Sequence, residues 1–144
     1  MASDLYDTDF YAWATEQAAR LRAGDIARAD VAHIAAEIDS MGRAEKRALV
    51  SFLSVLLLHL LKWQYQPSHR GASWQISIAN ARDDLTDLLD DNPSLRPRLN
   101  EAVFGAYRRA RRQAALETGL PESAFPDACP YSPGDAIAAD FFPG

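Results

Sequence analysis

The chain has 144 residues, 48% of them hydrophobic and 24% charged, with a net charge of −5 and a single cysteine. That length suits one domain with its own core, spanning 1–144, and the acidic balance argues against a protein that coats nucleic acid. A lone Cys129 excludes an internal disulfide and a multi-cysteine metal cluster.

The first ten residues, MASDLYDTDF, have no apolar stretch of the kind a secretory signal needs, so a cytoplasmic setting is expected. Residues 1–6 read as a flexible start. Phe10, Trp13, Ala14, Gln17, Ala18 and Leu21 then repeat at helical spacing, and Gly24 sits where a helix-ending glycine belongs. A second stripe, Val31, Ile34, Ala35, Ile38 and Met41, follows Asp30 as its N-cap. Gly42 is expected to break or bend the path, with Glu45 reaching back toward it in a capping box.

The central helix is expected to start there and to end at Pro67, which can neither donate the next backbone bond nor tolerate helix just before it. From Phe52 to Leu61 only Ser54 and His59 are polar. A helix apolar nearly all round must be covered on most sides. Ten residues are too few to span a bilayer, so the expected cover is protein and no membrane contact is expected. Ser73 reads as the N-cap of a further helix carrying Trp74, Ile78, Ala81, Leu85, Leu88 and Leu89, stopped by Asn92-Pro93. A long Ala-rich stripe from Leu99 to Ala114 ends at Gly119. Prolines at 121, 126, 130, 133 and 143 then forbid a long helix, while Phe125, Tyr131, Phe141 and Phe142 are too apolar for a disordered tail. Residues 120–144 therefore read as a strap on the bundle, with a short helix opened by Ser132 and Pro133. The expected fold is all-α, a bundle of four to five helices around a central apolar one.

Several phrases carry a family resemblance: Ala36-Glu37-Ile38-Asp39, His59 through Pro67, Ser73-Trp74, Asn92 through Pro97, Glu117 through Pro121, and Cys129-Pro130-Tyr131. In this order they resemble the bacterial family known as domain of unknown function twenty-nine, across nearly the whole chain from Leu5 to Pro143. The resemblance implies an all-helical fold and brings no established activity, so no catalytic residue transfers with it.

His33, Glu37, Glu45 and His59 invite a metal, but Glu45 and His59 are about 21 Å apart along a helix rising 1.5 Å per residue. His33 and Glu37 alone make two ligands, too few for a site. Neither a metal nor a cofactor is expected. The run Tyr107-Arg108-Arg109-Ala110-Arg111-Arg112 looks like a nucleic-acid patch. Against that, Asp83, Asp84, Asp87, Asp90 and Asp91 crowd the preceding helix, and pairing across the hairpin is expected to absorb the charge. The remaining cluster is His59, Lys62, Trp63, His69, Arg70, Ser73 and Trp74, a basic and aromatic corner at the end of the central helix. A helix start attracts anions through its free N–H groups, so this corner is the candidate ligand site, for a small anion or an acidic segment. The competing reading is a packed corner with its cations paired. No catalytic constellation assembles from the sequence. A non-catalytic interaction or regulatory module, engaging another protein or its own copy, is the expected function. The alternative is an anion or small-molecule binder, enzymatic or not.

Overall fold

Leucines at 49, 53, 56, 57, 60 and 61 fall on one broad helical face, and that face carries the core of the larger part of the chain. In the computed structural model, which describes residues 2–144 with side chains from Leu5 onward, the fold is an all-α helical bundle. Its helices are α1 (Ala2–Thr8), α2 (Phe10–Arg22), α3 (Val31–Tyr65), α4 (Ala72–Asp91), α5 (Leu99–Thr118) and α6 (Pro133–Ile137). Short 3-10 turns stand between several of them, and no strand occurs among the described residues. Met1–Ala44 and Glu45–Gly144 form two compact units.

In the unit from Glu45 onward, those six α3 leucines are fully buried. They share one cluster with Ile78, Leu85 and Leu89 of α4 and with Ala102, Ala106, Ala110 and Ala114 of α5. An alanine every fourth residue leaves α5 without bulk on that face, and Ser54 Oγ comes within 3.5 Å of the Ala106 carbonyl. Each buried leucine contributes about 1.5–3 kcal/mol. By length and composition α3 could cross a bilayer, but its leucines are already covered by protein. From Leu120 the chain supplies Phe125, Tyr131 and Ala136 to the same core. Gly119, with φ of 77°, ends α5 in the left-handed conformation that favours glycine. Ser132 caps α6, its hydroxyl accepting from the Asp135 amide at 3.1 Å.

In the unit up to Ala44, Asp9 caps α2 by accepting from the Ala12 amide at 3.1 Å. Gly24, with φ of 76°, follows the end of α2, and the Asp25 amide donates back to the Arg20 carbonyl at 2.9 Å. Asp30 caps the start of α3, accepting from the His33 amide at 3.4 Å. Where the sequence reads as a flexible start, Ala2–Thr8 is helical and Tyr6 packs its ring on His33, Trp13 and Phe10; Met1 lies outside the described residues.

The start of the central helix differs from expectation. α3 runs unbroken through Gly42, and Glu45 accepts from the Asn92 side chain at 3.5 Å rather than closing a capping box. A helix-interior glycine costs only about 0.5–1 kcal/mol, and Arg43, Ala44, Glu45, Lys46 and Arg47 are good helix formers that offset it.

Candidate functional site

The corner at the end of α3 is built by Pro67, which stops the helix, and by Gly71, which precedes α4. Ser73 is not the cap. α4 starts at Ala72 with Gly71 in the cap position, and the Ser73 side chain is exposed within the first turn. Lys62, His69 and Trp74 do come together. Lys62 Nζ lies 4.9 Å from the centre of the Trp74 ring, and the His69 ring stacks on the same indole at 6.5 Å. Arg70 lies over Trp63 at 5.2 Å, and Trp63 in turn meets Phe142 at 4.9 Å. His59 makes none of these ring contacts and donates from Nδ1 to the Val55 carbonyl one turn back at 2.8 Å.

The cations of this corner already have partners. Lys62 Nζ donates to Glu117 Oε1 at 2.9 Å, with its side chain only 11% exposed. This bond holds the Glu117 carboxyl below the usual carboxylate range, assisted by Gln113. Arg70 Nε donates to the Trp63 carbonyl at 2.6 Å, one of the carbonyls that the end of α3 leaves without a helical partner. A second Arg70 nitrogen donates to the Gly144 carbonyl at 3.1 Å. An anion entering here would have to displace protein acceptors from both side chains.

The arginine run on α5 is the reverse case. Arg111 donates to the Phe125 carbonyl at 3.3 and 3.2 Å and pairs with Glu122 and Asp127, all in the C-terminal segment. Arg108, Arg109 and Arg112 are exposed and form no ion pair among the described residues. The aspartates expected to absorb much of their charge do not: Asp90 pairs with Arg96 at 2.8 Å, and Asp83, Asp84, Asp87 and Asp91 form no ion pair among the described residues. α4 and α5 each turn an apolar stripe into the shared core, which leaves their charged faces pointing to solvent.

Two buried polar residues, Arg82 and Gln17, have partners that the sequence does not reveal. Arg82 is 5% exposed and donates to the carbonyls of Ala136, Ala139 and Phe141 at 2.9, 3.2 and 2.6 Å. Its guanidinium also lies 5.4 Å from the Phe142 ring, and burial draws its pKa down. The signal was present, because 78, 82, 85 and 89 share one buried helical face and only position 82 is charged. The second is Gln17, 2% exposed, whose Oε1 accepts from the Asp30 amide at 2.7 Å while Nε2 is buried without a partner. Beside it Asp30 accepts from Trp13 Nε1 at 3.0 Å and from His33 Nδ1 at 2.7 Å, the His33 bond being the main cause that lowers its pKa. Glu37 accepts from the Tyr6 hydroxyl. Two of the four residues weighed as metal ligands, His33 and Glu37, are thus engaged in this network. Among the described residues, no group of three His, Cys, Asp or Glu side chains is placed to hold a metal.

Compared with known proteins, residues 5–142 match the family model described as domain of unknown function DUF29, and the chain belongs to that family. No curated protein and no solved structure matches it.

Proposed function

We propose that this DUF29 chain is a non-catalytic helical interaction module, docking through the apolar stripe at the start of α3. One observation carries the reading. Val31, Ile38 and Met41 have the spacing of a buried helix face, yet they are 59%, 63% and 69% exposed. Leaving such side chains in water forgoes about 1.5–3 kcal/mol each, which a partner surface would recover. With Ile34 they step by three, four and three residues, the seam that packs against another amphipathic helix. Burial raises the Cys129 thiol above its ordinary pKa, so at neutral pH it is a poor nucleophile, in keeping with a non-catalytic role. A cytoplasmic setting belongs to the same reading, with Cys129 kept as a free thiol.

The test is site-specific photo-crosslinking in the cells that make the protein. A photoreactive residue at position 38 should yield one discrete product, which mass spectrometry identifies as a second copy or another protein. The same residue at the exposed position of Thr86 should yield none. Adding Met41→Asp should abolish the product while changing stability by less than about 0.5 kcal/mol, as for other surface substitutions. No product from position 38, or the same products from both positions, would refute the docking face.

A further inference from the structure

A hollow of about 470 Å³ opens beside α5, lined by Arg108, Arg109, Arg111 and Arg112 with Val50 of α3 and the carboxylates of Glu122 and Asp127. We infer that this hollow binds a small polyanion carrying two or more phosphate-type groups. The inference does not depend on the α3 docking face.

The first support is the division of labour among the four arginines. Arg111 is anchored to the Phe125 carbonyl and to Glu122 and Asp127, the two carboxylates that also line the hollow. Among the described residues, Arg108, Arg109 and Arg112 have no carboxylate partner, on a protein of net charge −5 whose α4 carries several aspartates outside any ion pair. Three like charges at spacings of one, three and four residues repel one another along a helix. A multiply charged anion would relieve that repulsion, and each planar fork can grip phosphate oxygens two at a time.

The second support is shape. Arg109 and Arg112 also line a neighbouring hollow of about 380 Å³, so these two arginines stand between two concavities. Each volume lies in the range of small-molecule sites. Neither hollow has an aromatic lining on which bases could stack, which disfavours single-stranded nucleic acid. The corner holding Lys62 and Arg70 lacks this free charge, so the two basic regions make opposite predictions.

Sodium tripolyphosphate is the probe, titrated by calorimetry and by thermal melting of the full chain. At millimolar concentration it should raise the melting temperature by about 2–4 °C through preferential binding to the folded state. Arg109→Ala/Arg112→Ala should melt at the wild-type temperature and bind at least about tenfold more weakly, since each lost fork removes charge-assisted bonds. Sodium sulfate at equal ionic strength should give less than a third of the shift. Absence of a shift, an equal shift in the double variant, or an equal shift with sulfate would overturn the site. Tighter binding of a 20-nucleotide single strand or of poly-glutamate than of tripolyphosphate would overturn the small-ligand assignment in favour of a macromolecular one.

Discussion

Two cationic regions of the same helical unit meet opposite fates. At the end of α3, Lys62 and Arg70 stand among tryptophans beside a helix start, and both are engaged by protein acceptors. On α5, Arg108, Arg109 and Arg112 stand in a plain charged run and are engaged by no acceptor among the described residues. The residue types favour the first as a ligand site, and the geometry favours the second. What separates them is the supply of acceptors nearby. The α3 corner faces helix-ending carbonyls, Glu117 and the last residues of the chain, whereas the outer face of α5 has only the Arg111 anchors to draw on. A cation becomes available to a ligand when the fold has not already partnered it, which residue identity alone does not reveal.

The largest expected effect tests the most structural of the arginines. Arg82→Ala should cost about 2–4 kcal/mol in urea denaturation, because the Ala136, Ala139 and Phe141 carbonyls lose a charged donor and the α6 region loses its tie to α4. Arg82→Lys should recover less than half, since a point charge cannot serve three carbonyls in a fork. A loss under about 0.5 kcal/mol would show that the segment holds without it.

Arg70→Ala comes next, at about 1–2 kcal/mol, through the bonds to the Trp63 and Gly144 carbonyls. The sharper measurement uses phosphate. In the Arg109→Ala/Arg112→Ala background, millimolar phosphate should leave the melting temperature unchanged whether or not Arg70 is present. A phosphate-dependent rise that vanishes with Arg70→Ala would break the comparison by showing that the corner binds after all.

The smallest effect is the pH dependence of the Lys62–Glu117 pair. The folded-state pKa of Glu117 is lowered by Lys62. Its contribution is therefore complete above the unfolded value of about pH 4.3 and is lost as pH falls through the lowered one. Wild type should lose more stability between pH 6 and pH 3 than Lys62→Met does. The difference should stay below about 1 kcal/mol because the carboxylate is partly solvated. Parallel pH profiles would mean that the pair adds nothing.

Helix periods, the caps at Asp30 and Ser132 and the glycines at 24 and 119 were all legible in the sequence, because each depends on residues within a turn or two of chain. So was the covered apolar run of α3, which no solvated arrangement could tolerate. The continuity of α3 through Gly42 was not, since the glycine signal is weak against strong helix formers on its C-terminal side. The partners of the cations were beyond reach for a different reason. Lys62 finds Glu117 across 55 residues and Arg70 finds Gly144 across 74, while Arg108, Arg109 and Arg112 find nothing in the α4 aspartates fewer than 30 residues away. Pairing follows the direction in which packed helices turn their polar faces, and tertiary packing alone sets that direction.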